Sequence, residues 1–484
     1  MFTETAITPF DEPIVRLPKE QSPSADPLQR LRKDVAAVLA IADEYDLTDG
    51  HGQAPSWDRS LAFPINNQLV YPTYIFRGKL LESPTLAYEK LDALLAPHQQ
   101  MALFRSHSAK GSPHVIKIFN QRPQAQHAQP STRTLNFVLF FLTLVSVWYV
   151  GMTSYFSYAL HQGILTPDQL FRDVPLLGTT FSVFNWVYWW RGLPYALSIL
   201  AILGGHELGH YFVARYHRVA TSLPYFIPLP FGIIGTMGAV INLRAPIKNR
   251  RVLLDIAVAG PLVGVLIAVP ILFYGLATST VTYSTEGGLI EGNSILYAVA
   301  KIAILGEFYP NGEMDVFINQ MAWAGWVGLL VTAFNLVPIS QLDGGRILRA
   351  YLGEKAHTLH MPFLFILAVV VAISATITTL WVVWILPMLM WAWFALQDRL
   401  ADVGTLEDIT ALDPLRVRFV IMIAIIFVLI FVPVPFTITT LTAEPASNGQ
   451  IQSFETDQPL TQDDRFQMVY DSFTHPHSEE VSQQ

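Results

Sequence analysis

The chain has 484 residues, 52% of them hydrophobic and only 14% charged. Soluble domains carry about 25% charged residues, so this composition reads as a polytopic membrane protein with soluble appendages. A net charge of −8 leaves no electrostatic footprint for nucleic acid, and the absence of cysteine removes disulfides, thiolate metal ligands and cysteine nucleophiles.

Residues 1–68 are polar and expected to be partly disordered, with one clear helical stretch from Leu28 to Tyr45. Met1 to Arg30 lacks a basic-then-apolar leader, so the first hydrophobic span is expected to serve as the targeting signal. Residues 69–120 read as a small α+β unit. Leu69 to Arg77 predicts a strand, Ser83 can cap a helix running through Leu86, Leu91 and Leu94, and 101–107 and 115–119 predict two more strands around a turn at Lys110-Gly111-Ser112. This β-α-β-β order is half of a ferredoxin-like fold and carries no metal-ligand spacing, phosphate loop or paired carboxylates. Residues 121–133, rich in Gln, Pro and Ala, read as a linker.

From 134 to 437 the chain is expected to lie in lipid, with seven spans near 135–160, 193–213, 252–277, 321–339, 362–378, 380–395 and 419–436. Residues 361–397 carry no charge and are too long for one comfortable span at about 1.5 Å per residue across about 30 Å. They read as a hairpin turning near Thr376 to Thr379, with one long tilted helix as the alternative. Arg215, Arg218, Arg244, Lys248, Arg250 and Arg251 lie between the second and third spans, and Arg346, Arg349 and Lys355 follow the fourth. Residues 278–320 are acidic apart from Lys301, and the tail at 438–484 is acidic with a single Arg465 and expected to be disordered. The basic-loop bias places the N-terminus in the cytoplasm and the C-terminus outside.

Within the second span stand His206-Glu207-Leu208-Gly209-His210. Positions i and i+4 share a helix face, so both imidazoles can reach one metal, and Glu207 beside them can accept a proton from a water at that metal. Charged groups near the bilayer centre cost roughly 2–3 kcal/mol or more each, so such residues need partners. Two acids can supply a third ligand: Asp255 at the start of the third span, and Asp343 after the fourth, where Pro338 breaks the helix and Gly344-Gly345 allow a sharp turn back. Spacing favours Asp343 only modestly. His217 lies about 10 Å along the helix from His210 and reads as an interfacial residue beside Arg215 and Arg218; His357 and His360 fall in a polar loop.

The motif His206 to His210 together with Asn335-Leu336-Val337-Pro338, running on to Leu342-Asp343-Gly344, resembles the HExxH and NxxPxxxLDG of the site-2 protease family of intramembrane zinc metalloproteases. Similarity continues through Gly235 to Ile241, Asn249 to Pro261, Gly292 to Tyr297 and Ala324 to Leu330, covering roughly residues 70 to 400. The branch is the one found in cyanobacteria and other bacteria and, as the ethylene-dependent gravitropism-deficient and yellow-green proteins, in chloroplasts. The resemblance implies one Zn²⁺ per chain held by His206, His210 and Asp343, Glu207 as general base, and Asn335 holding substrate or oxyanion. It also implies a membrane-embedded β-hairpin at 224–241 and a membrane-protein substrate with a transmembrane helix, in a multi-pass protein expected in a bacterial cytoplasmic membrane. Both motifs are intact, and no PDZ-like insertion separates them. Two rivals remain: a membrane zinc protease whose third ligand is a later glutamate, for which Glu354 is a poor candidate, and a metal or ion transporter, which needs more intramembrane carboxylates than Asp255 offers.

Overall fold

The computed structural model describes residues 27–48, 62–65, 68–106, 113–122, 131–166, 174–176, 179–181, 186–230, 232–243, 245–283, 289–311, 314–339, 341–374, 385–400 and 404–438. The N-terminal unit comprises α1 (Pro27–Ala36), β1 (Leu39–Asp46), a small hairpin of β2 (Phe63–Ile65) and β3 (Gln68–Val70), β4 (Tyr74–Leu80), α2 (Pro84–Leu95), β5 (Met101–Ser106) and β6 (His114–Phe119). Its four-stranded sheet has the order β1-β4-β6-β5, antiparallel throughout. Ala87, Tyr88, Leu91 and Leu95 make the buried face of α2, and they meet Leu31, Phe76, Phe104, Ile116 and Phe119 in one core.

Three expectations change here. The stretch from Leu28 to Tyr45 is not one helix: α1 stops at Ala36, and Leu39, Ile41 and Tyr45 alternate as a strand that covers the open edge of β4. The sheet therefore includes a strand, β1, well before residue 69. The expected strand from Leu69 to Arg77 is split at Pro72, which cannot donate to a ladder, between the β2–β3 hairpin and β4. The turn at 110–112, the first 26 residues, most of the linker and the tail beyond 438 lie outside the described residues.

Next come α3 (Ser131–His161), the short strands β7 (Val174–Leu176) and β8 (Thr179–Phe181), and α4 (Leu193–Tyr216). They are followed by β9 (Tyr225–Pro228), β10 (Thr236–Val240) and α5 (Arg250–Ala277). The polar side beyond α5 is built from β11 (Thr280–Tyr283), β12 (Leu289–Glu291), α6 (Ile295–Leu305) and β13 (Met314–Phe317). Then α7 (Gln320–Asn335), α8 (Asp343–Leu352), α9 (His357–Ser374), α10 (Ile385–Leu400), α11 (Pro414–Ile430) and β14 (Phe436–Ile438) complete the order. Among the described residues four helical stretches are long and apolar enough to cross a membrane: Thr134–His161, Tyr188–Tyr216, Arg250–Ala277 and Asp343–Ile373. The protein is thus a mostly helical membrane protein. The other expected spans correspond to α7 and α10, 16 residues each, and α11, 17 residues. The region 361–397 holds two helices, α9 and α10, packed through Leu364, Leu367, Val371 and Trp391; the expected turn at 376–379 lies outside the described residues.

α4, α5 and α7 form the centre of the membrane part, burying Ile199, Ile202, Leu254, Ala257, Leu272, Val327 and Leu330. On the far side Lys301, fully buried, lies 3.4 Å from Glu291 and donates to the Tyr309 carbonyl at 3.2 Å, while the Tyr297 hydroxyl donates to Glu291 at 2.7 Å. Burial pushes the Glu291 carboxyl up despite the neighbouring ammonium.

A strap at 404–413 ties the N-terminal unit to the membrane helices. The Phe104 N–H donates to Leu406 O at 2.8 Å and the Asp408 N–H to Phe104 O at 3.1 Å, so the strap extends the sheet in parallel at the β5 edge. On its other side Leu406 and Glu407 donate to the Ile247 and Lys248 carbonyls at 2.9 and 2.8 Å. The buried Asp408 meets Arg349 of α8 at 3.1 Å and Arg250 of α5 at 3.7 Å, and Arg105 donates to Thr405 O at 2.7 Å.

Candidate metal centre

His206 and His210 lie one turn apart on α4 and are 3% exposed each, while Asp343, 7% exposed, opens α8. The two Nε2 atoms are 3.2 Å apart, and Asp343 Oδ2 lies 3.1 Å from His206 Nε2 and 3.2 Å from His210 Nε2. Two donors at about 2.0–2.1 Å in a tetrahedral zinc shell are about 3.3 Å apart, so this spacing accommodates one ion. Asp343 arrives because the chain doubles back after α7. The Ile339 N–H bonds Val337 O at 2.7 Å and the Leu342 N–H bonds Ile339 O at 3.1 Å, and a side chain at Gly344 would strike Leu336 O.

α5 supplies the wall behind the histidines. His210 Nδ1 is 2.7 Å from the Ile256 carbonyl, which can only accept, so Nδ1 is the donor there, and Nε2 faces Asp343. That imidazole lies against Gly260, where a Cβ would come within 2.1 Å of Nε2. One turn on, a Cβ at Gly264 would be 3.1 Å from His206 Nδ1. Glu207, 6% exposed, adjoins the donor group without belonging to it.

Of the residues singled out in the sequence, His206, His210 and Asp343 come together and Glu207 lies beside them; this is the group that could hold a metal among the described residues. Asn335, half-buried, closes α7 and is not one of the three. Asp255 is not a member either. Its carboxylate takes a fork from Arg416 of α11 at 2.8 and 2.6 Å and meets His217 Nε2 at 3.0 Å. Arg250 and Arg251, the basic residues nearest to it in sequence, turn instead to the Ala350 and Ala411 carbonyls at 2.7 and 3.3 Å. His217 is accordingly held by Asp255, and His357 and His360 lie in the first turn of α9 and not in a loop. The Ile256 carbonyl, Gly260 and Gly264 escaped sequence reasoning. The glycine pair at i, i+4 on α5, facing the histidine pair at i, i+4 on α4, is the signal that could have found the wall.

A buried His-His-Asp group with an adjoining carboxylate, on helices apolar enough to cross a bilayer, defines a membrane-embedded metalloprotease. Residues 194–377 match Peptidase family M50. The chain is similar to the probable zinc metalloprotease EGY2, chloroplastic, of Arabidopsis thaliana, 26% identical over 432 residues, 87% of this chain and 68% of that one. The probable zinc metalloprotease EGY1, chloroplastic, of the same plant is 29% identical over 247 residues, 50% of this chain and 43% of that one. Its namesake in Oryza sativa subsp. japonica is 34% identical over 170 residues, 34% and 29% of the two chains. The chain thus spans about two thirds of the first relative and less than half of the other two. No solved structure matches it. Residues 194–377 thus carry a peptidase family M50 domain, the domain of the site-2 proteases, and the chain is similar to these EGY proteins, which supports a zinc metalloprotease. The named relatives are chloroplastic, so they lend no support to the bacterial cytoplasmic membrane expected from the sequence.

Proposed function

We propose that this protease cleaves peptide bonds in or near the transmembrane segments of membrane-protein substrates, as regulated intramembrane proteolysis, with His206, His210 and Asp343 as ligands and Glu207 as base. The carrying observation is the convergence of three metal donors within 3.2 Å of one another beside a buried carboxylate, inside helices of membrane-crossing length. A Zn²⁺ held by His206, His210 and Asp343 would supply Lewis-acid polarisation and lower the pKa of a water there to about 7. Glu207 takes the proton of the attacking water and delivers it to the departing amide nitrogen. Asn335 is assigned to substrate or oxyanion by the family resemblance.

A transmembrane substrate hides its carbonyls in its own helix and must unwind to be cut. The β9–β10 hairpin supports the docking step. Asn136 of α3 donates to the Leu223 and Pro224 carbonyls at 3.0 and 2.8 Å, and Ser146 donates to Gly235 O at 2.6 Å, which anchors the hairpin to α3. β10 then offers an edge for strand pairing with the unwound segment. The proposed topology has seven spans, with α7, α10 and α11 completing the four long stretches and the N-terminal unit on the side of the basic loops. A transporter would need further carboxylates along a path, and the described residues contain one His/Asp/Glu group of metal-binding geometry.

Replacing Glu207 by Gln tests the reading. The variant should keep its zinc and lose cleavage of a transmembrane substrate in liposomes, because a base and not a ligand has been removed. Full activity of Glu207→Gln would overturn it.

A further inference from the structure

We propose that Asp255 and Arg416 are positioning residues for the metal ligand His210, so that the docking of α11 sets the seat of one imidazole. The inference rests on the reading of His210 as a ligand.

The chain of contacts is short. The imidazole of His210 is oriented by a single backbone acceptor, the Ile256 carbonyl, at 2.7 Å. Ile256 follows Asp255 directly, and its buried side chain packs against Ala214 and Val219 at the end of α4. Asp255 is bound from two sides. His217, which caps α4 two turns beyond His210, meets its Oδ2 at 3.0 Å. Arg416, in the first turn of α11, grips both carboxylate oxygens at 2.8 and 2.6 Å and is itself held by Asp413 at 2.7 Å. The end of α4, the start of α5 and the start of α11 therefore meet at one carboxylate, one residue from the carbonyl that sets a ligand's proton and direction. A fork of this kind fixes rotation as well as distance, which a point contact does not. Gly260 leaves the imidazole no cushion on α5, since even a methyl group would overlap it, so a twist of the α5 start is transmitted to the ring.

Removing groups that orient a ligand typically costs 10–100-fold in metal affinity. The test uses the full-length protein in detergent, with zinc affinity measured by chelator competition and Co²⁺ substituted for the visible spectrum. Asp255→Asn and Arg416→Gln should each weaken zinc about 10-fold, shift the Co²⁺ bands alike, and weaken it no further when combined. Wild-type zinc affinity and Co²⁺ bands in both variants, with only the melting temperature lowered, would show a structural ion pair and overturn the proposal. If Asp255→Asn does not yield folded protein, Arg416→Gln decides alone, since its side chain is 26% exposed and leaves no buried void. His210→Ala separates the two layers: if it keeps zinc at wild-type affinity, the ligand assignment fails first; if it loses zinc while the two clamp variants do not, the clamp alone fails.

Discussion

Gly260 of α5 stands where any side chain would enter the His210 imidazole, with a Cβ there only 2.1 Å from Nε2. The ring and the helix share one volume, and the helix gives way by having no side chain. Gly260→Ala should therefore displace His210 and cut zinc occupancy at least about 10-fold, on the scale of lost ligand orientation. Gly264→Ala, whose Cβ would sit 3.1 Å from His206 Nδ1, should be milder. Metal analysis after gel filtration checks the order, and equal occupancy in both variants would contradict this packing.

Asp343 and Asn335 should separate by readout. Asp343→Ala removes a donor 3.1 and 3.2 Å from the two Nε2 atoms and should abolish zinc retention, far beyond the effect of Asp255→Ala. Asn335→Ala should retain zinc and lower kcat by roughly 10²–10³, the usual loss for one oxyanion donor. Zinc loss from Asn335→Ala would move that residue out of its assigned role.

Deleting the N-terminal unit, so that the chain starts near Gln129, should leave zinc in place while lowering the melting temperature and relaxing substrate choice. The strap loses the Phe104 and Arg105 bonds to Leu406, Asp408 and Thr405 but keeps those to Ile247 and Lys248. Unchanged melting and unchanged cleavage of the natural substrate would reduce the unit to a passive appendage.

His114 gives a pH dependence of known sign. Its Nδ1 accepts the Leu80 N–H at 3.1 Å, and partial burial with Lys79 nearby lowers its pKa from the usual value. The unfolded chain takes up this proton first, near pH about 6.5. The contribution is thus complete above that pH and is lost as pH falls from there through the lower folded value. Thermal melts of His114→Gln should show a flatter slope over this acid range than wild type; an identical slope would mean that His114 carries no share of it.

The histidine pair was legible in the sequence because its spacing is local, i and i+4 on one helix, whereas spacing favoured Asp343 over Asp255 only modestly and the family resemblance singled it out. The β-α-β-β pattern was legible for the same reason, being set by periodicity within each element. What stayed hidden depends on distant pairing. Asp255 reads as the neighbour of Arg250 and Arg251, yet its cation is Arg416, 161 residues away, because helix packing and not sequence distance decides which guanidinium arrives. β1 was masked by the helical periodicity of α1 just before it, and its alternation becomes meaningful only beside the open edge of β4. α7, expected over 321–339, ends at Asn335, because Pro338 cannot continue the helical ladder.

The strap also imposes an order on biosynthesis. Arg105 waits for Thr405, 300 residues later, and the β5 edge beside it waits with it. At roughly 5–20 residues per second, a ribosome needs on the order of 15–60 s to cover that interval. For that time the nascent soluble unit presents unpaired backbone groups to whatever else is being made nearby. Its final strand emerges only after the helices between have been handed to the bilayer. Insertion of those helices thereby precedes the pairing that completes the β5 edge, and a ribosome stalled before residue 404 leaves that edge open.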